Sequence, residues 1–350
     1  MVFRRLSPRL AGVLALLLVM VFPLALDVRA GSLVAGKGPS HHLASGFRNP
    51  GTEYSYTMLH RAKRLFTGPR RAKPTVGVAP LSNDGAELRA NGQSPTVTWV
   101  GHSTFLVQLD GVNILTDPHW GDTTSPVRFA GPRRIVRPGL AFEHLPRIHA
   151  VVISHDHYDH LDDETVRRLA REHDPRFFVP LGLKAWLADR GITNVVEMDW
   201  WEERAYRGVT FVCTPAQHSS GRTFRDQNMR LWSSWVAIGR DRKMFFAGDT
   251  GYTPALKEIG KLGPFDLALV PVGGYSGYEG RHHPNHVNPE EAVQLFEDVG
   301  GRLMVPMHWG TFDLNREPAN EPPGRVLAEG LRRGLEERIA ILSPGQSLHW

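Results

Sequence analysis

The sequence predicts a mixed α/β fold in which sheets are covered by helices. From Thr96 onward, hairpins and strand–helix units occur together in one chain. Short apolar runs of strand length end again and again in polar loops bearing histidine or aspartate. No short-period repeat runs through the chain.

The chain opens with Arg4, Arg5 and Arg9, then an apolar run from Leu10 to Leu26 interrupted by Pro23, then Val28-Arg29-Ala30. This is the basic, apolar, small-residue order of a secretory signal, with cleavage expected after Ala30. The run is about long enough to cross a bilayer, so an uncleaved anchor is the second reading of residues 1–30. Either reading predicts an exported bacterial protein, periplasmic or membrane-associated. Residues 31–95 are rich in Gly, Pro, Ser and Arg and read as an N-terminal arm over the main domain. Basic residues between His60 and Lys73 surround Leu65-Phe66, leaving a peripheral membrane contact open beside a solvated arm.

Residues 96–350 read as the main domain. Thr96–Leu109 and Val112–Thr116 are expected as two strands joined by Asp110-Gly111, a hairpin signal. Strand-like runs follow at Ile148–Ser154, Phe177–Pro180, Val195–Met198, Val209–Cys213, Ser234–Ile238, Lys243–Ala247, Leu267–Val272 and Leu303–Met307. Helical spacing predicts helices over Asp162–Glu172, Pro254–Ile259 and Pro289–Asp298, the last entered through Asn288-Pro289-Glu290.

Cys213 is the single cysteine, which excludes an intrachain disulfide and a thiolate zinc site. A bound metal must therefore be held by imidazole and carboxylate. The net charge of +5 suits an anionic partner, such as a phospholipid surface, if it is clustered.

The chemistry concentrates in Ser154-His155-Asp156-His157-Tyr158-Asp159-His160, directly after an apolar strand and before a helix. Three histidines and two aspartates in six residues can converge only around a cation, because desolvating them together is otherwise costly. Three more polar residues follow apolar strands: His218, Asp249 within Gly248-Asp249-Thr250-Gly251, and His308.

The series H-x-H-x-D-H, then a distant His, Asp and His, resembles the ligand series of the metallo-β-lactamase superfamily. Within it the chain is similar to the N-acyl-phosphatidylethanolamine-hydrolysing phospholipase D family. The likeness is carried by Gly101–Thr104, Thr116–Pro118, Ile153–Asp162, Thr214–His218, Leu231–Trp235, Phe245–Tyr252, Gly263–Leu267, His286–Val293 and His308–Phe312. The resemblance implies an αββα four-layer sandwich with two divalent metal ions at one edge. It places His155, His157 and His218 on the first ion, Asp159, His160 and His308 on the second, and Asp249 between them. Nitrogen and oxygen donors suit zinc, with iron and manganese as alternatives.

It further implies a phosphodiesterase of phospholipase D type, cleaving N-acyl-phosphatidylethanolamine or a similar phospholipid with a hydroxide held between the metals. Asp159, Asp249 and His286 are the catalytic candidates. His286 is read near the substrate, with loop packing as its other reading. His102, Asp117 and Thr250 are candidates to orient the ligands. The chain lacks the H-x-K-x-x-x-x-D motif of phospholipases D that use a phosphohistidine. Ser219-Ser220 and Tyr275–Asn285 depart from the animal enzymes, which puts the acyl-amide head group in doubt. The alternatives are a lactone or carboxylic-ester hydrolase of the ascorbate-lactonase-like branch, and a non-enzymatic lipid- or metal-binding protein on the same fold. Nucleic acid is not an expected partner, since no basic and aromatic stripe is evident.

Overall fold

The computed structural model describes residues 39–51, 78–127, 129–223, 225–276, 282–314 and 317–350. The predicted signal segment 1–30 and the Leu65-Phe66 stretch lie outside the described residues. One sheet is built from β1 (Thr96–Gly101), β2 (Thr104–Leu109), β3 (Val112–Thr116), β4 (Ala150–Val152), β5 (Arg176–Pro180) and β6 (Val195–Met198). The other contains β7 (Glu203–Tyr206), β8 (Val209–Thr214), β9 (Ser234–Ile238), β10 (Lys243–Phe246), β11 (Leu267–Pro271) and β12 (Met304–Met307). A last strand, β13 (Ser347–His349), pairs with β1, so the spatial orders are β13-β1-β2-β3-β4-β5-β6 and β12-β11-β10-β9-β8-β7.

Side-chain alternation along the strands sorts residues into two cores, as a period of two requires. Phe105, Val107, Ala150, Val152 and Phe178 face the second sheet and pack with Phe211, Trp235 and Phe245. Their neighbours Leu106, Val151, Phe177 and Val179 face the other way. There they meet α2 (Asp163–Glu172) and α3 (Leu183–Ala188) through Val166, Leu169, Leu183 and Leu187; a short α1 (Ala86–Ala90) adds Leu88. On the far side of the second sheet lie α4 (Pro289–Asp298), through Ala292, Val293, Leu295 and Phe296, and α5 (Glu321–Arg333), through Val326. The layers are therefore helix, sheet, sheet, helix, the predicted αββα sandwich.

Local chemistry explains the ends of α2 and α4. The Asp162 side chain accepts from Thr165 N and caps α2. Asn288 and Glu291 form a reciprocal capping box on α4, with Pro289 at its first turn. Such a cap typically stabilises by about 1 kcal/mol.

One expectation needs correction. Thr96–Leu109 is not one strand: it breaks at His102-Ser103, where His102 takes φ 54° and its N–H donates to Thr311 Oγ1 (2.8 Å). A distant side chain sets that break. The predicted helix from Pro254 forms as a 3₁₀ helix over Pro254–Leu262.

Candidate metal centre

The ligand candidates all leave the ends of strands at one edge of the sandwich. β3 and β4 run parallel, pairing Thr116 with Val152, so Asp117 and Ser154 emerge side by side. β10, β11 and β12 are also parallel and deliver Asp249 and His308 to the same edge. β8 leads into Pro215–Gln217 and then His218.

Within the central motif the side chains divide by direction. His155 Nε2 lies 2.9 Å from His157 Nδ1, which lies 3.2 Å from His218 Nε2. Tetrahedral zinc with bonds of about 2.0–2.1 Å separates its ligand nitrogens by about 3.3 Å, so these three nitrogens fit one cation. Asp159 Oδ2 meets His102 Nε2 at 2.9 Å, His160 Nε2 at 3.3 Å and His308 Nε2 at 3.3 Å. Asp249 Oδ2 reaches His160 Nε2 at 3.2 Å, His308 Nε2 at 3.1 Å and His218 Nε2 at 3.9 Å, so it faces both groups.

Asp156 turns away. It accepts from Gly221 N (2.6 Å) and Arg230 Nη1 (2.7 Å) and so anchors the loop between β8 and β9. Tyr158 likewise donates to Arg222 O. The motif thus alternates between donors for a metal and anchors for the loop opposite.

The donors also satisfy a cation electrostatically. Burial alone would protonate Asp159 and Asp249, yet His160 and other histidines beside them hold both carboxyls well below the usual range. Burial opposes charge on His160 and His308 too, but the two carboxylates override it and hold His308 up at about 9. Burial lowers His102 and His218 to about 3 and His155 well below its ordinary value. Asp249 Oδ1 is buried with no hydrogen-bond partner among the described residues. Burying two carboxylates costs several kcal/mol per ion unless a cation compensates. The residues present therefore fit divalent metal.

The groups around the donors orient them. Asp117 accepts from Ser154 N (2.7 Å), Ser154 Oγ (2.5 Å) and His160 Nδ1 (2.6 Å), which leaves His160 Nε2 to face the centre. Thr250 Oγ1 accepts from Gln217 N, next to His218. His218 Nδ1 meets Asn285 O at 2.9 Å. Four buried indoles bracket the loops: Trp99 donates to His102 O, Trp235 to Ile153 O, Trp232 to Ala216 O and Trp309 to Pro306 O. Strained backbone gathers here as well, with positive φ at His102, Asp117 and His308.

His286 Nδ1 lies 3.7 Å from Asp249 Oδ2, and its side chain is 20% exposed. With Asp159 it forms the open side of the centre; the other ligands facing them, apart from half-buried His157, are buried. Of the Ser219-Ser220 pair that departs from the animal enzymes, Ser220 is buried and donates to Arg230 O, and Ser219 accepts from Asn285 Nδ2.

Gly248 has φ 57°, and a Cβ there would sit 2.5 Å from Ser154 Cβ. Its absence lets the loops bearing His155 and Asp249 approach. Gly248→Ala is expected to destabilise by about 2–5 kcal/mol, combining a left-handed alanine with overpacking. Urea unfolding checks this, and a loss below 1 kcal/mol would refute the close-approach argument.

The structure brings the seven predicted donors to one edge together with His102, Asp117 and Thr250. Sequence reasoning missed Asn49, whose side chain pairs with the backbone of His218 across 169 residues. It also missed the indole donors and the group His41, His42 and Asp199.

A family model described as a beta-lactamase superfamily domain matches residues 112–309. An uncharacterized protein of Mycobacterium tuberculosis is 39% identical over 335 residues, covering 93% of this chain and 88% of that one. N-acyl-phosphatidylethanolamine-hydrolyzing phospholipase D 1 of Caenorhabditis elegans is 39% identical over 278 residues, covering 76% of this chain and 78% of the worm protein. Among solved structures, Igni18, a metallo hydrolase from Ignicoccus hospitalis, superposes with a TM-score of 0.57 at 25% identity, covering 74% of this chain and 99% of that one.

Proposed function

The chain belongs to the metallo-β-lactamase superfamily as a metal-dependent hydrolase, and on that premise we propose that it is a binuclear phosphodiesterase acting on a phospholipid such as N-acyl-phosphatidylethanolamine. The observation that carries the reading is Asp249, whose Oδ2 faces His218 on one side and His160 and His308 on the other. One carboxylate shared by two donor groups is what two neighbouring ions require. The 39% identity to the worm phospholipase D supports the phospholipid.

His155, His157 and His218 would hold one ion, and Asp159, His160 and His308 the other. Zinc suits these donors. When bound, the pair supplies an activated water and neutralises charge on the phosphoryl oxygens. The chain's own residues do the remaining work. Asp117, Asn285 and Thr250 fix how the donors point. His102 Nε2 donates to Asp159 Oδ2 and limits the carboxylate's rotation at the open side. Burial pushes the His286 imidazole well below its ordinary range despite Asp249, so the ring is neutral at pH 7. The partly exposed ring lies beside Asp249 on the open side of the centre, and there it would hydrogen-bond the leaving group or a phosphoryl oxygen. The exposed Val127 and Phe129 support contact of that loop with a phospholipid surface, reached after export.

The test is a substrate panel with the metal-loaded protein. N-acyl-phosphatidylethanolamine in mixed micelles should give phosphatidic acid and N-acylethanolamine in equal amounts. Lactones and carboxylic esters should turn over at least about tenfold more slowly, a difference of about 1.4 kcal/mol in barrier. Fast lactone hydrolysis with no phosphodiester cleavage would replace this reading with the ester one.

A further inference from the structure

We propose that Asn49 is a positioning residue for the ligand His218, and that residues 39–49 form the strap that holds it in place. This rests on the two-ion reading above. Neither the arm's composition nor the ligand motif points to it; the geometry around His218 does.

His218 ends the loop that leaves β8. On one side, Pro215–Gln217 face a cavity of about 420 Å³, walled by Pro39, Pro50, Trp200, Trp201, Ala255 and Leu256. A loop with open space behind it is not fixed by close packing. Its position must come from directional bonds: Trp232 holds Ala216 O, Thr250 holds Gln217 N, and at the backbone of His218 itself Asn49 supplies them. Asn49 Nδ2 donates to His218 O at 2.7 Å, while Asn49 Oδ1 accepts from His218 N at 3.2 Å. The same Oδ1 accepts from Trp232 Nε1 at 3.0 Å. One planar amide therefore engages both backbone groups of the ligand residue, as an adjacent strand would. Asn285 O fixes the imidazole and Asn49 fixes the backbone that carries it.

The strap is itself tied down. His41 Nε2 and His42 Nε2 donate to opposite oxygens of Asp199, at 2.7 and 2.8 Å. The His41 ring stacks on Trp200 with centroids 4.1 Å apart. Phe47 N donates to Asn228 O and Arg48 N to His41 O. Gly46, at φ 83°, lies so close to Asn228 O that a Cβ would fall 2.2 Å from it. Two histidines and a carboxylate are also metal-ligand types. Their spacing is that of ordinary hydrogen bonds, each ring takes its own oxygen, and Asp199 Oδ1 accepts from Trp200 N as well. The group reads as a clasp that sets where Asn49 falls.

The experiment compares the full chain with Asn49→Ala and Asn49→Asp, each stripped and titrated with Co²⁺ against a competing chelator. The readouts are stoichiometry, visible absorption, and kcat and KM on bis(p-nitrophenyl) phosphate. Wild type should bind two ions. In Asn49→Ala the ion on His155, His157 and His218 should bind 10–100-fold more weakly, the range typical for loss of a ligand's outer support. The second ion should be unaffected. Its absorption should persist at limiting Co²⁺ while that of the first is lost, and kcat should fall with little change in KM. Asn49→Asp keeps the acceptor but sets an anionic oxygen against His218 O in place of the donor, so it should weaken the first ion at least as much as alanine does; it decides alone if the alanine variant does not fold. Wild-type affinity for both ions in the variants that fold would overturn the proposal. Fewer than two ions in wild type would sink the two-ion reading instead. A third equivalent that vanishes in Asp199→Asn would overturn the clasp.

Discussion

Asp249→Asn is expected to lower phosphodiester hydrolysis by on the order of 10³-fold, about 4 kcal/mol of transition-state stabilisation. The substitution keeps the shape of the side chain and removes its charge. Asp249 Oδ2 is the atom within 3.2 Å of both His160 and His308 and facing His218 at 3.9 Å. A neutral amide there would leave one cation short of a ligand and put an N–H₂ where a lone pair is needed. Both the metal content and kcat should fall. The measurement is metal analysis alongside kcat/KM at saturating Zn²⁺. Two tightly held ions with undiminished turnover would remove Asp249 from its shared position.

Chelation is expected to abolish hydrolysis and to lower the midpoint of thermal unfolding by about 10 °C. A ligand at a thousand times its Kd stabilises by about 4 kcal/mol, and a domain of this size shifts by about 2–4 °C per kcal/mol. The stripped protein is not left bare. Its carboxylates keep a proton on His308, raised from 6.5 to about 9 despite burial. A base whose folded value is raised contributes stability fully below its ordinary value and loses it as pH climbs through about 9. The gap between loaded and stripped midpoints should therefore widen from about pH 6.5 to 9. Calorimetry at several pH values tests this, with restoration by Zn²⁺, Mn²⁺ or Fe²⁺ reporting metal preference. Equal midpoints would mean that the donors are held by the fold alone.

Much of the architecture was legible because local signals agreed with it. Val195–Met198 and Ser234–Ile238 have the predicted bounds, Asp110-Gly111 makes the predicted hairpin, and Asn288-Pro289-Glu290 starts the predicted helix. The donors were legible because each follows an apolar strand. What escaped depends on contacts between distant residues. The break at His102 is set by Thr311, and nothing in Val100–Thr104 announces a left-handed histidine. β13 is three residues long and exists by pairing with β1. The amphipathic α5 begins at Glu321-Pro322-Pro323, and its buried Val326 faces a core that local sequence does not reveal. Asn49 lies in a stretch whose composition suggests only a loose arm, and its partner is 169 residues away.

The contact between Gly248 and Ser154 sets a dimension of the centre. These two residues immediately precede Asp249 and His155, and the backbone of one rests against the side chain of the other with no room for a methyl group. The distance between the two ligand-bearing loops is thus a property of the contact between the Gly248 backbone and the Ser154 side chain, and longer or shorter ligand side chains cannot reset it. Attempts to retune the site for a metal with a different preferred radius would meet this fixed gauge first. Variation at positions 154 and 248, more than at the ligands, would decide whether the pocket can be resized.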